Sequence, residues 1–245
     1  MSGAYDFPIK GFIETSFIDW KHQLSSVMFC GGCNFRCPFC HNSDLVLRHG
    51  ALVEVPLSYI DDTLHRFRKW TERVVITGGE PTIHESLFWM IERLKERRFM
   101  VKLDTNGSNP RVVRRLIREG LVDFVAMDVK GPIPRYERWC GVDVDTAKIE
   151  ETISLLMENV VDYEFRMTLV PFLHTEDDAY EVAEYLRGAK RFFIQDFIAR
   201  NTLNPAYADV KVYLPEKMQA IREQVAAIMQ HAKIPDSIQR QDGLR

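Results

Sequence analysis

Four of the chain's five cysteines fall in one stretch of eleven residues, "CGGCNFRCPFC" at 30–40. Thiolates crowded in this way hold a metal ion or an iron–sulfur cluster, so the question is which one, and with which sulfurs. A zinc ribbon separates its two Cys-x2-Cys knuckles by roughly a dozen residues or more, leaving room for four thiolates around a tetrahedral ion. Here only Asn34, Phe35 and Arg36 lie between Cys33 and Cys37, a tight span for two knuckles. Closely spaced cysteines also hold fully ligated iron–sulfur clusters. Spacing by itself leaves open zinc, a four-cysteine cluster and a cluster held by fewer thiolates. Cys140 stands far away in sequence and reads as a packed thiol.

The remaining composition belongs to an ordinary core-forming chain of 245 residues, 46% hydrophobic. A net charge of −3 gives no electrostatic reason to expect nucleic acid or an anionic membrane as partner. The basic run "RVVRRLIREG" (111–120) reads as the wet face of a helix. The first residues lack a basic start followed by an apolar run, so no signal peptide is expected. No uncharged apolar stretch approaches the roughly 18 residues needed to cross a bilayer. Nor does the cysteine pattern resemble a secreted disulfide framework, so the expected location is the cytoplasm with thiols reduced. The sequon match at Asn106-Gly107-Ser108 is then coincidental.

The elements that must position these thiols alternate from about residue 25 onward. Six apolar runs read as strands buried on both faces: 25–30, 73–78, 100–104, 122–128, 163–170 and 191–197. Between them run helical stripes. Leu57, Ile60, Leu64 and Phe67 share a face behind a Ser58/Asp61 capping box. Leu87, Met90, Ile91 and Leu94 form the next stripe, and a third helix opens at Asn109-Pro110 and stops at Gly120. Ile149, Ile153 and Leu156 mark a fourth, and Val182, Ala183 and Leu186 a fifth. The alternation predicts an α/β fold: a partial (β/α)6 TIM-like barrel with parallel strands, plus a C-terminal helix. The expected organisation is a single domain over 1–245, with a core at about 20–200, the last helix at about 215–231 and a frayed tail at 232–245. Chemistry in such a barrel collects at the C-terminal ends of the strands. The polar groups obey this: the cysteine stretch follows the first strand, Gly78-Gly79-Glu80 the second, Asp104-Thr105-Asn106-Gly107 the third, and Asp128 with Lys130 the fourth.

Cys33-x3-Cys37-x2-Cys40, with Phe39 before the last cysteine, is similar to the signature of the radical S-adenosylmethionine superfamily, and "TGGEP" (77–81) resembles its second signature. The resemblance implies one [4Fe-4S] cluster held by Cys33, Cys37 and Cys40. The fourth iron stays free to chelate the amino and carboxylate groups of S-adenosylmethionine. Cys30 is left as a buried strand residue, with Gly31-Gly32 as the hinge into the loop. Gly78 and Gly79 are expected to let backbone approach the ligand, and Glu80 to meet the ligand's ammonium.

More narrowly, "CHN" (40–42), "LDTNG" (103–107), "MDVK" (127–130) and "FRMTLVP" (165–171) resemble the glycyl-radical-enzyme activating proteins. Within that group the chain is most similar to the short activators assigned to anaerobic ribonucleoside-triphosphate reductase. The 32 residues between Cys40 and Arg73 are too few for a two-cluster insertion. The resemblance assigns S-adenosylmethionine binding to Asp104, Thr105, Asn106, Asp128 and Lys130, with the backbone of Ala126 close by. It also implies a monovalent cation between the carboxylates, because facing carboxylates repel unless a cation or proton intervenes. Lys130 is a second source of that charge. Arg166, a charge on a strand, needs a partner: the ligand carboxylate is the expected one, a neighbouring carboxylate the alternative. One departure concerns the strand-six histidine of the pyruvate formate-lyase activator, where this chain has "IQDFIARN", leaving Gln195 or Asp196 as candidates. His41 matches the pattern without an assigned role, and His174 reads as part of a helix start.

The implied reaction uses a one-electron donor of flavodoxin or ferredoxin type to reduce the cluster. The electron passes to the sulfonium, and the resulting 5′-deoxyadenosyl radical takes a hydrogen atom from a glycine Cα of a partner, a glycyl radical enzyme. A rival within the superfamily acts on a small molecule, peptide or RNA. A rival of another class is a noncatalytic zinc or iron–sulfur binding protein.

Overall fold

The computed structural model describes residues 7–20 and 23–230. Strands β1 (Ile9–Trp20), β2 (Gln23–Cys30), β3 (Arg73–Gly78), β4 (Met100–Thr105), β5 (Phe124–Asp128), β6 (Asp162–Leu169) and β7 (Phe192–Asp196) lie side by side in chain order. β2 to β7 are parallel throughout. Helices α1 (Ser43–Leu47) and α2 (Leu57–Phe67) follow β2, and α3 (Leu87–Glu96) follows β3. α4 (Pro110–Arg118) follows β4, while α5 (Glu137–Cys140) and α6 (Thr146–Met157) lie between β5 and β6. α7 (Glu176–Tyr185) follows β6 and α8 (Pro215–Gln230) follows β7. Each crossover adds a strand beside the last, and right-handed connections with sheet twist curl the result. β1 and β7 do not pair with each other, so the sheet is a half-barrel with an open side.

The six expected strands are present. The seventh, β1, was not expected: it runs antiparallel to β2 and carries irregular register. Short helices α1 and α5 are further additions. The third helix opens and closes as the sequence reads, with Pro110 at its start and Gly120 just past its end at φ +64°. The Ser58/Asp61 capping box does not form. Pro56 occupies the N-cap, and Asp61 is drawn instead into ion pairs with Arg93 of α3 and Arg97 just past its end. The expected tail at 232–245, and the final residue of the predicted last helix, lie outside the described residues. No helix among the described residues is long and apolar enough to cross a membrane.

The alternation of side chains along each strand sorts the sheet into two faces. Met28, Cys30, Val74, Ile76, Val101, Leu103, Val125, Met127, Phe165 and Met167 join the main core beneath the helices. The intervening positions line the inside of the half-barrel. Val27 and Val75 pack with Trp20 there in a small cluster. Lys102, Asp104, Asp128, Glu164, Arg166 and Thr168 also alternate onto this face. So many charges on an inner wall cost desolvation that a purely structural barrel has no reason to bear.

Candidate active site

Residues 31–42 leave the C-terminal end of β2 without regular structure, and their own side chains pin them. Asn34 donates to Ser108 Oγ (2.8 Å) and accepts from Asn106 Nδ2 (2.9 Å), tying this loop to the turn after β4. Arg36 Nη1 donates to the carbonyls of Cys33 (2.6 Å) and Phe35 (2.8 Å). Asn42 Nδ2 donates to the Gly78 carbonyl (2.8 Å). Held this way, Cys33, Cys37 and Cys40 all line an open cleft, together with Phe39. Cys30 and Cys140 are fully buried and do not line it. The strand alternation explains Cys30: one residue after Phe29, it points to the helices.

Burial, aided by the Glu80 charge, pushes the Cys33 thiol up to about 12, and burial also raises Cys40. Cys37 is held below the usual thiol range by a hydrogen bond from Cys140. Among the described residues no three His, Cys, Asp or Glu side chains close on a single ion. Three soft sulfurs spread around one cleft are a donor set that fits a cubane ligated at separate corners.

Gly78 and Gly79 serve close packing of the chain on itself. A Cβ on Gly78 (φ +115°) would meet the Cys30 backbone nitrogen at 2.5 Å, and one on Gly79 would lie 1.8 Å from the Gly32 carbonyl oxygen. This approach lets Gly79 N–H donate to Cys30 (2.9 Å) and Glu80 N–H to Gly32 (2.8 Å), so the turn after β3 grips the cysteine loop directly. Glu80, expected to meet the ligand's ammonium, also has partners within the chain. Its Oε1 accepts from Thr82 N–H (3.1 Å), Thr82 Oγ1 (2.5 Å) and Thr105 Oγ1 (2.8 Å), and its Oε2 from Asn106 N–H (2.6 Å). Burial pushes its carboxyl above the ordinary range while these four donors favour the charged form. Glu80 thus fastens the turn after β3 to the turn after β4, with its edge still on the cleft.

The charged wall is a ladder. Arg166 of β6 donates through Nε to Asp128 Oδ1 (2.9 Å) and through Nη1 to Asp104 Oδ2 (3.2 Å). Lys130 Nζ donates to Asp128 Oδ2 (3.1 Å), and Lys102 Nζ lies 3.5 Å from Asp104 Oδ1. Asp104 Oδ1 is buried without a hydrogen-bond partner. Burial would raise the Asp128 carboxyl, but Arg166 and Lys130 hold it well below the carboxylate range. Within the chain Arg166 thus has neighbouring carboxylates as partners, Asp128 and Asp104. Three cationic side chains, Arg166, Lys130 and Lys102, balance Asp104 and Asp128, and a monovalent cation would add to them beside Asp104 Oδ1, which accepts no hydrogen bond. Ala126 pairs with Asp104 across β4 and β5 as expected.

Around the rim, His41 stacks on Phe197 (5.6 Å between centroids) and its Nε2 bonds the Ile198 carbonyl (2.6 Å). Leu203 N–H donates to Cys40 (3.0 Å) and Asn204 N–H to Pro38 (2.8 Å), so the segment after β7 straps the cysteine loop. Neither candidate for the missing histidine enters the cleft. Asp196 is exposed and pairs with Arg222 of α8 (2.7 Å), and Gln195 accepts from Thr168 (3.4 Å). Thr168 and Thr77, which sequence reasoning passed over, do line it. So do His41 and Asn42, whose adjacency to Cys40 was the available signal. His174 is no ligand: it precedes the Thr175/Asp178 capping box of α7, as its place at a helix start implied.

A curled parallel sheet whose first loop offers three cysteines beside a Gly-Gly-Glu turn defines a class of enzyme that holds a cluster open to a second cofactor. The Radical SAM superfamily matches residues 27–186, and the chain belongs to that superfamily. Its cofactors are accordingly a [4Fe-4S] cluster and S-adenosylmethionine. Over 196 residues the chain is 36% identical to a Methanocaldococcus jannaschii protein provisionally named a glycyl-radical enzyme activating enzyme, covering 77% of this chain and 79% of that one. It is also 36% identical over 77 residues to the 7-carboxy-7-deazaguanine synthase of Aquifex aeolicus, covering 31% and 33%. Among solved structures, Streptococcus suis SuiB bound to S-adenosylmethionine superposes with a TM-score of 0.60 at 15% identity, covering 85% of this chain and 46% of that one. A structure of TYW1 with a lysine-pyruvate adduct gives 0.56 at 15%, covering 83% and 73%. At these identities the two structures speak to the fold.

Proposed function

We propose that this radical S-adenosylmethionine enzyme is an activating enzyme that generates a glycyl radical on a partner protein, with anaerobic ribonucleotide reductase as the partner. The observation that carries the reading is the relative named as an activating enzyme, similar over more than three quarters of both chains. In this reading Cys33, Cys37 and Cys40 hold the cluster, and the bound cofactors supply a carbon-centred radical able to abstract a hydrogen atom. Phe39, Gly78 and Gly79 shape the cleft wall against S-adenosylmethionine, and Glu80, Thr105 and Asn106 fix the two turns that flank it. Asp104, Asp128, Lys130 and Arg166 orient the zwitterionic methionine end by charge. The open side between β1 and β7 admits a protein segment. The electron donor is of flavodoxin or ferredoxin type, and the setting is an anaerobic cytoplasm.

The test is anaerobic reconstitution with iron and sulfide, reduction by dithionite, and addition of S-adenosylmethionine with the candidate partner. A glycyl doublet in the electron paramagnetic resonance spectrum, together with 5′-deoxyadenosine, is the expected result. Cofactor cleavage without a doublet would favour the second reading, a small-molecule substrate, which the similarity to 7-carboxy-7-deazaguanine synthases supports. Failure to form any 5′-deoxyadenosine would remove both.

A further inference from the structure

Lys102 places a full charge on the inner face of β4 at only 3% exposure, and it does not line the cleft. Its side chain lines instead a depression at the opposite mouth of the half-barrel, together with Trp20, Phe124 and Glu164. Asp104, two residues further on the same face of the strand, lines the cleft. A buried ammonium is heavily penalised unless it is paired and hydrogen-bonded. Lys102 Nζ donates to the Asp19 carbonyl near the end of β1 (2.5 Å) and to Glu164 Oε1 of β6 (3.4 Å), and it lies 3.5 Å from Asp104 Oδ1. The Phe124 ring of β5 covers it from another side, 5.5 Å away. Contacts from β1, β5 and β6 therefore hold the ammonium at the floor of the site. Asp104 is flanked by Arg166 at Oδ2 and Lys102 at Oδ1, Asp128 by Arg166 and Lys130, and Glu164 by Lys102. Three carboxylates thus meet three cations, and the wall is neutral from its own side chains. Without Lys102 it carries one excess negative charge, nearest to the buried Asp104 Oδ1.

We propose that Lys102 is a positioning residue: its ammonium, held by Asp19 and Glu164, balances and orients Asp104 from the side away from the cleft, so that S-adenosylmethionine binds without an exchangeable monovalent cation. The proposal rests on the reading of Asp104 as part of the S-adenosylmethionine site. Lys102 acts through Asp104 and does not touch the ligand. A monovalent cation beside Asp104 Oδ1 is then an addition to the site and not a requirement of it. If Lys102 served only to neutralise Glu164, ligand binding would be insensitive to which cations are in solution, with or without the lysine.

The experiment measures S-adenosylmethionine affinity by equilibrium dialysis on the full chain with its cluster reconstituted. Each protein is compared in potassium chloride and in tetramethylammonium chloride at equal ionic strength, the second cation being too large to sit against a buried carboxylate oxygen. The wild type is expected to bind equally in both salts. Lys102→Met keeps most of the side chain and removes the charge, and it is expected to bind about tenfold more weakly in tetramethylammonium than in potassium, the scale of one charge-assisted hydrogen bond. Glu164→Gln leaves the ammonium beside Asp104 and should behave as the wild type in both salts. If Lys102→Met does not fold, Lys102→Gln, which keeps a donor for the Asp19 carbonyl but no charge, takes its place. A wild-type affinity that falls in tetramethylammonium overturns the proposal, and so does a charge-free Lys102 variant that binds equally in both salts. The same salt response in Glu164→Gln as in Lys102→Met overturns it too. If Asp104→Asn leaves the affinity unchanged, the reading of Asp104 fails first, which is a separate outcome.

Discussion

Four donors converge on the Glu80 carboxylate, and no neutral side chain of the same outline can accept all of them. In Glu80→Gln one oxygen becomes an NH2 that faces another N–H or O–H. The expected cost is about 1–3 kcal/mol in denaturant unfolding of the apo chain. Unchanged stability with lost cofactor affinity would instead make Glu80 chiefly a ligand contact. The cysteines divide in the same residue-by-residue way. Cys37→Ala should abolish iron binding after reconstitution, whereas Cys30→Ala should keep it, since Cys30 faces the helices; the reverse result would overturn the ligand assignment. These residues were legible because the chemistry of thiolates is local: the three cysteines of the proposed ligand set all fall within residues 33–40. Glu80 was legible as a site residue but not as a hub, because two of its four donors come from Thr105 and Asn106, across two strands.

At the scale of elements, β2 to β7 were readable because strands buried on both faces are written as near-continuous apolar runs. β1 was not: as an irregular edge strand it mixes buried Ile9 and Trp20 with exposed Phe17 and Ile18, and bulges break its alternation. The cysteine loop was legible in composition and illegible in restraint, because its anchor Asn34 bonds Ser108, 74 residues away. That anchor carries a prediction. In Asn34→Ala, Ser108 and Asn106 lose their partner and the loop is freed from the turn after β4, at a cost of about 1 kcal/mol. Iron should then leave the reconstituted protein faster under a chelator, at unchanged initial iron content. Identical release kinetics in the variant and wild type would mean that the remaining anchors at Arg36 and Asn42 suffice.

The molecule as a whole is joined at His174. Its Nδ1 accepts from Val170 N–H (3.1 Å) after β6, which places the ring proton on Nε2, where it donates to the Lys130 carbonyl (2.8 Å) after β5. The ring stacks on Trp139 of α5 and meets Phe39 of the cysteine loop edge-on, and its own carbonyl accepts from Tyr213 before α8 (3.1 Å). Both ring nitrogens are committed to the neutral tautomer, and burial lowers the imidazole from 6.5 to about 4, with Asp178 opposing the shift and Arg138 aiding it. The sign of the pH dependence follows from linkage. Above pH 6.5 neither the folded nor the unfolded chain protonates this ring, and stability is full. Between 6.5 and 4 the unfolded chain takes a proton that the folded chain refuses, so stability falls as the pH falls. Below about 4 both forms carry the proton and this loss stops. The drop across the window is of order 3 kcal/mol at 1.36 kcal/mol per unit. Thermal unfolding of the apo chain between pH 7.5 and 4 should show it. His174→Gln, which retains an acceptor and a donor, should have a lower baseline but a flatter slope over that interval. A variant slope as steep as wild type would place the acid sensitivity elsewhere, and the five-way junction at His174 would then be a packing contact without a titrating role.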